Sequence, residues 1–391
     1  MLKLSGKIIP IREERAPYLA ARVLRIEAEF DSEGADPATS ALLVQTDNPP
    51  AGYSAYLIPH GLDPAMEAFV HEKPVMKLTE DFDYLRKGDV IRFDAPANRI
   101  SVMYRRESLQ NSFLVTERCD NYCLMCSQPP KDVDDGWLVD DIFQAIPLIS
   151  PETKEIGFTG GEPTLLGDRL IEALRLCKEH LPATAVHVLS NGRRFSDMEF
   201  AKKWAAIDHF DMMVGIPVYS DISSTHDYVV QADGAFDQTI RGILNLKRLG
   251  QRVEIRVVIH KQTCGGLPRL AEFIARNLLF VDHVALMGLE MMGFTRANLD
   301  SLWIDPTEYQ AELYEAVRIL DAARLRVSVY NHQLCLLDKR LWPFAVKSIS
   351  DWKNEYFQEC EGCAVKDRCG GFFSSAKFKR SDRIHALGAQ L

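Results

Sequence analysis

From residue 112 onward the chain alternates short apolar runs with amphipathic stretches, and this alternation restricts the folds open to it. FLVT (113–116), EIGFT (155–159), AVHVLS (185–190), DMMVGIPV (211–218), VEIRVVIH (253–260) and HVALMGL (283–289) read as strands. VDDIFQAIPLI (139–149), DRLIEALRLCKEH (168–180), DMEFAKKWAAI (197–207), GAFDQTIRGILNLKRLG (234–250), LPRLAEFIARNL (267–278) and PTEYQAELYEAVRILDAA (306–323) carry helical apolar spacing. About six β/α units in series require right-handed crossovers and a parallel sheet, either open or curled into a barrel.

The flanks read differently. Residues 1–108 hold short strand-like runs, ALLVQT (41–46), YSAYLIP (53–59), DVIRFDAP (89–96) and RISVMYRR (99–106). Turn formers separate them: Asp47-Asn48-Pro49-Pro50, Gly61, Gly88-Asp89 and Pro96-Ala97-Asn98. The last two runs alternate as half-buried strands and suggest a hairpin. The expected organisation is a small β-rich domain (1–108), a β/α barrel (109–326) and an irregular, aromatic, cysteine-containing extension (327–391).

The 391 residues carry a formal charge of −9, which makes a poor general binder of nucleic-acid backbone. No apolar run reaches the ~18 residues that a membrane span needs. The start, MLKLSGKIIPIREERAPY, lacks an apolar core followed by a small-residue cleavage site, so export is not expected. The nine cysteines therefore read as thiols or metal ligands in a reducing cytoplasm rather than as a disulfide framework.

Cys119, Cys123 and Cys126 lie in TERCDNYCLMCSQPP, directly after the first barrel strand. That end of a strand is where β/α folds place their chemistry. Three thiolates suit iron–sulfur or zinc. A structural zinc wants a fourth protein ligand, and no further Cys or His lies in this loop. Three ligands on a four-iron cluster leave one iron open.

With this spacing the chain resembles the radical S-adenosylmethionine (SAM) superfamily, with a partial (β/α)6 barrel. TGGEP (159–163) after the second strand resembles the motif that holds the SAM amino group, implying roles for Gly160, Gly161, Glu162 and Pro163. Two glycines permit close backbone approach, and Glu162 is an acceptor for an ammonium. LSNGR (189–193) resembles the ribose-contacting turn, implying Ser190, Asn191 and Gly192. Arg256 is a candidate for the SAM carboxylate, and MGLEMMG (287–293) for adenine. The resemblance implies that SAM is reductively cleaved to methionine and a 5′-deoxyadenosyl radical, the cofactor supplying this chemistry.

Cys360, Cys363 and Cys369 in CEGCAVKDRCGGFF resemble the auxiliary-cluster region of SPASM and twitch proteins. Cys335, after strand-like RVSVY, is the candidate fourth ligand of a second 4Fe–4S cluster; a zinc knuckle is the alternative. Cys177 reads as helix packing. Cys264 and Glu290 follow the fifth and sixth strands and are candidates for catalysis, as hydrogen donor and as base; an inert thiol and a solvated carboxylate are the plainer readings. His260 and His332 read as satisfied or exposed histidines.

LVTERCDNYCLMCSQPPKDVDD and CGGFFSSA are similar to maturases of the His-Xaa-Ser system, of the HxsC type. This implies a companion precursor peptide, a second radical SAM partner protein, and an electron donor such as a flavodoxin or ferredoxin, with neither membrane nor nucleic acid involved. The rival readings are a radical SAM enzyme for a small molecule, such as a nucleoside or cofactor precursor, and a non-catalytic zinc-stabilised binding module.

Overall fold

The computed structural model describes residues 3–10, 22–28, 36–46, 49–62, 74–94, 97–347 and 355–388. The turn residues Asp47, Asn48 and Pro96 lie outside the described residues. The chain divides into two compact units. One comprises Met1–Phe113, Gly136–Gly157 and Glu172–Ala185; the other comprises Leu114–Asp135, Phe158–Ile171 and Val186–Leu391.

The N-terminal part forms an eight-stranded sheet in the order Ser5–Lys7, Arg99–Tyr104, Val90–Asp94, Arg22–Ala28, Ser40–Leu43, Ala55–Ile58, Val75–Lys77, Ile9–Pro10. The expected hairpin is present, with Phe93 opposite Ile100 in an antiparallel pair. The centre of the sheet is different: Arg22–Ala28, Ser40–Leu43, Ala55–Ile58 and Val75–Lys77 run parallel. Their inward residues Leu24, Ile26, Ala41, Leu57 and Met76 join Phe82, Ile91 and Phe93 in one buried core.

The second sheet has seven strands in sequence order: β1 (Asn111–Leu114), β2 (Glu155–Thr159), β3 (Ala185–Leu189), β4 (Met212–Pro217), β5 (Arg252–Ile259), β6 (His283–Gly288) and β7 (Val327–Tyr330). From β3 to β7 every neighbouring pair is parallel. This is the expected α/β partial barrel, and β7 extends it by one strand beyond the six β/α units. The main helices are α1 (Trp137–Ala145), α2 (Asp168–His180), α3 (Met198–Ala205), α4 (Ser223–Val230), α5 (Ala235–Arg248), α6 (Leu267–Asn277) and α7 (Gln310–Ala322). Among the described residues no helix is long and apolar enough to cross a membrane.

Period-two geometry gives β5 two different faces. Val253, Ile255, Val257 and Ile259 are all but fully buried on one, and the other carries Glu254 and Arg256. Helix α6 buries Leu267, Leu270, Ala271 and Ile274, the i, i+3, i+4, i+7 stripe of an amphipathic helix. Each such burial stabilises by about 1.5–3 kcal/mol for the larger side chains.

Helix α5 approaches the turn after β3 through a glycine. A Cβ at Gly242 would fall on the Gly192 carbonyl oxygen and 3.2 Å from the Phe195 Cβ. Gly242→Ala should therefore destabilise the protein by roughly 1–3 kcal/mol, the range for overpacking. Gly265, with open space around its added Cβ, should accept alanine within about 0.5 kcal/mol. Urea midpoints of the two variants check this; equal midpoints would show that α5 can back away from the turn freely.

Candidate functional site

The loop after β1 is pinned to its surroundings by its backbone. Tyr122 and Leu124 N–H groups donate to the Val230 and Val229 carbonyls at 3.0 and 2.9 Å, at the end of α4. Asn298 Nδ2 donates to the Leu124 carbonyl at 2.9 Å, and the Phe294 N–H to the Cys126 carbonyl at 2.8 Å. At its root, Thr116 Oγ1 donates to Asp135 at 2.9 Å. These bonds fix the chain through Cys119, Cys123 and Cys126. All three thiols line one cavity of about 300 Å³. Burial pushes Cys119 up to about 12, raises Cys123 further, and raises Cys126. Metal binding here must displace protons, as thiolate ligation requires.

The glycine pair lies against this loop. The Gly161 N–H donates to the Thr116 carbonyl at 2.7 Å, and the Glu162 N–H to the Arg118 carbonyl at 2.8 Å. A Cβ at Gly160 would collide with the Thr116 carbonyl, and one at Gly161 with the Arg118 carbonyl. Gly160 also sits at φ +140°. The close approach that the glycines permit is thus to the backbone that presents Cys119.

Glu162 is 1% exposed, and protein donors surround its carboxylate. Oε1 accepts from the Thr164 N–H (2.9 Å), Thr164 Oγ1 (2.6 Å) and Ser190 Oγ (2.8 Å); Oε2 accepts from the Asn191 N–H at 2.6 Å. Burial raises its pKa against these four donors, which favour the ionised form. Glu162 lines the cavity and at the same time ties together the turns after β2 and β3. Pro163, itself buried, opens the 3-10 turn that follows.

Ser190 and Asn191 line the cavity from the turn after β3. Ser190 Oγ also accepts the Gly192 N–H at 3.0 Å, and Gly192 turns the chain at φ +80°. Asn191 Nδ2 donates to Asp120 at 2.6 Å, reaching back to the cysteine loop. Arg193 holds the same loop through Asn121 Oδ1 at 2.7 Å and the Asp120 carbonyl at 2.8 Å.

Arg256 reaches the cavity from β5 and also pairs with its strand neighbour: its guanidinium donates to Glu254 at 2.7 Å and lies 3.2 Å from the Met287 sulfur. His283 Nδ1 lies 2.6 Å from the other Glu254 oxygen, and its Nε2 lies 2.9 Å from Ser328 Oγ. Burial alone would raise Glu254, but the His283 hydrogen bond and the Arg256 charge hold it down at about 2. Glu290 lines the cavity too, whereas Cys264 is not among the lining residues; its Sγ faces the Lys261 carbonyl at 3.7 Å. His260 and His332 are fully buried, and burial pushes both down to about 4.

Asn121, Tyr219 and Asn331 also line the cavity, and the motif reading did not include them. Tyr219 lies two residues beyond β4 and Asn331 one beyond β7, so the strand-end rule alone would have flagged both.

The tail brings Cys335, Cys360, Cys363 and Cys369 around one small pocket with Tyr356, Lys366 and His385. Burial raises Cys335 and Cys360. Among the described residues no three His, Cys, Asp or Glu side chains converge as a single-ion site. A lone zinc needs its ligands about 2.0–2.3 Å from one point. In a four-iron cluster each thiolate binds a different iron, so the thiols surround a volume instead.

Residues 113–274 match the family model described as the radical SAM superfamily. This segment is a radical SAM domain. The Fe-coproporphyrin III synthase of Methanosarcina barkeri is 29% identical over 163 residues, 41% of this chain and 39% of that protein. Native anSMEcpe with bound AdoMet shares the fold at a TM-score of 0.50 and 14% identity, over 71% of this chain and 92% of that chain. Streptococcus suis SuiB bound to S-adenosylmethionine superposes at a TM-score of 0.46 and 15% identity, over 59% of this chain and 51% of its own. The chain thus spans about two fifths of the curated relative's length and about half of SuiB's.

The glycine contacts of the radical SAM domain give a direct test. Gly161→Ala should push the Arg118 carbonyl away and displace Cys119, lowering the iron retained by the barrel after anaerobic reconstitution. Iron content equal to the parent's would show that the two turns can part without moving the cysteine.

Proposed function

We propose that this chain is a radical SAM enzyme that modifies a peptide. The observation that carries the reading is that three separate strand ends deliver Cys119, Cys123 and Cys126, the Gly160–Glu162 turn, and Ser190 with Asn191 to one cavity of about 300 Å³, which Arg256 reaches from within β5. Cys119, Cys123 and Cys126 would hold a 4Fe–4S cluster, and the cavity beside them would take SAM. When bound, the pair supplies one-electron cleavage of a sulfonium and a carbon radical able to abstract hydrogen. The protein's own work is placement. Arg256, kept in position by Glu254, offers charge to a carboxylate. Glu162 locks the two turns at the separation the cofactor meets, which is preorganisation rather than direct contact.

Several features support a peptide as substrate. The resemblance of the MCSQPP segment and the tail to His-Xaa-Ser maturases points to a companion precursor peptide. A second cleft shares Gly288, Leu289, Glu290 and Asn331 with the cavity and continues along Trp303, Phe372, Phe373, Lys379 and Arg380. A cleft with aromatic and basic walls suits an extended substrate better than a compact one. Glu290, which lines both clefts, is our candidate for a substrate contact or base; Cys264, away from the cavity, is the weaker candidate. We assign Cys335, Cys360, Cys363 and Cys369 to an auxiliary 4Fe–4S cluster, and a flavodoxin- or ferredoxin-type donor to reduction of the barrel cluster. A second reading, a carboxylated small molecule as substrate, is favoured by the 29% identity to the Methanosarcina barkeri Fe-coproporphyrin III synthase across the barrel segment.

Co-expression with a peptide encoded beside the gene, followed by mass spectrometry, tests the substrate class: an unchanged peptide mass together with SAM cleavage would favour the small molecule. Replacing Cys119, Cys123 and Cys126 together by alanine should abolish 5′-deoxyadenosine formation while iron persists at the tail. The parent should hold about eight irons, from two four-iron clusters, and Cys360→Ala with Cys363→Ala should remove about half of them. A parent with about four irons and zinc at the tail would overturn the auxiliary assignment.

A further inference from the structure

We propose that Arg193 is a positioning residue for the barrel cluster: it grips the carbonyl end of the Asp120–Asn121 peptide, aims the N–H end of that peptide at the Cys119 sulfur, and thereby raises the cluster's reduction potential. The inference rests on the reading of Cys119, Cys123 and Cys126 as cluster ligands.

The Asn121 N–H donates to Cys119 Sγ at 3.4 Å. The carbonyl of the same amide, that of Asp120, accepts from Arg193 Nη1 at 2.8 Å. An amide is planar, and in its trans form the C=O and N–H point in opposite directions. Arg193 and the Cys119 sulfur therefore stand at the two ends of one stiff unit, and turning the carbonyl turns the N–H with it. Nη1 also donates to Asn121 Oδ1 at 2.7 Å, so the guanidinium holds the side chain that follows as well.

The arginine is itself held in place. Its Nε donates to Gln238 Oε1 on α5 at 2.7 Å, and its Nη1 lies 3.2 Å from the Asp120 carboxylate. Its backbone N–H donates to Asn191 Oδ1 at 3.0 Å. Only 16% of the side chain is exposed. Cys119 and Asn121 line the barrel cavity and Arg193 does not, so the arginine reaches an occupant through the peptide rather than by contact. A short turn that closes an N–H onto the side chain two residues earlier forms without such help. What the guanidinium adds is direction and polarisation: a charged donor on the carbonyl strengthens the hydrogen bond at the other end of the amide.

An N–H aimed at a cluster sulfur stabilises the more negative, reduced state, and hydrogen bonds to sulfur are among the protein's levers on cluster potential. The test is an EPR-monitored redox titration of the reconstituted full-length protein without SAM. The barrel signal is the one missing from the variant with Cys119, Cys123 and Cys126 replaced by alanine. Arg193→Gln removes the charge and the fork. Arg193→Lys keeps the charge as a point and cannot hold the Asp120 carbonyl, Asn121 Oδ1 and Gln238 together. At equal iron loading both variants should reduce at a more negative potential than the parent, Arg193→Gln further than Arg193→Lys. Gln238→Ala, which leaves Arg193 in the chain and frees its far side, should shift the potential the same way by less, and it carries the test if the Arg193 variants retain no iron. With asparagine selectively ¹⁵N-labelled, pulsed EPR of the reduced cluster should show a coupled amide nitrogen in the parent and a weaker coupling in the variants.

An unmoved potential in Arg193→Gln, or in Gln238→Ala where that variant stands in for it, overturns the proposal. So does a shift in Arg193→Gln with Arg193→Lys at the parent's potential, which would make the effect one of charge alone. A shift with the nitrogen coupling unchanged, or no coupling in the parent, would show that the peptide is not the intermediary. A parent that binds no iron at Cys119, Cys123 and Cys126 would remove the cluster reading and the proposal together. A loaded cluster with an unmoved potential removes only the role of the arginine.

Discussion

The geometry of the site depends on one buried carboxylate. Glu162 accepts from Thr164 in its own turn and from Ser190 and the Asn191 N–H in the next. Asn191 and Arg193 then grip Asp120 and Asn121 in the cysteine loop. Three loops that are distant in sequence are thereby joined through a chain of charge-assisted and neutral hydrogen bonds. In a low-dielectric setting such bonds are stronger than in water and more costly to break, so the loops move together or not at all.

Much of this was legible in the sequence because the relevant signals are local. Helical and strand periodicity located most of the barrel elements to within a few residues, though not the short helix α4 (Ser223–Val230), and the strand-end rule then placed the cysteines, the glycine pair and the Ser190–Asn191 turn on one face. The N-terminal sheet was less legible. The hairpin of Val90–Asp94 and Arg99–Tyr104 shows as alternation, but the parallel block around Arg22–Ala28 depends on pairing between distant segments. Strand preference there reflects neighbours rather than the strand's own residues. Short strands such as Ser5–Lys7 and Val75–Lys77 offer too few residues for a period to register.

The same limit applied to side-chain roles. Motif position identified Glu162, but whether its oxygens face a ligand or neighbouring turns depends on Ser190 and Asn191, 28 and 29 residues away. Arg256 has a clearer local partner, since Glu254 shares its strand face by the alternation of side chains. His283 and Ser328, which complete that network, lie on the two strands that follow, β6 and β7. A buried ionic group of this kind is stable only with its partners in place.

The seventh strand has a further consequence. Its first residue beyond Tyr330, Asn331, lines the cavity, and four residues later comes Cys335 at the tail pocket. Even a fully extended chain spans at most about 14 Å over that interval. The intervening residues are also anchored: His332 Nε2 lies 2.8 Å from the Tyr309 hydroxyl, and Gln333 Nε2 donates to the Gly371 carbonyl at 2.8 Å. This short, anchored segment works as a spacer of set length. Any group held at Cys335 stays at a bounded distance from the barrel cavity that Asn331 lines.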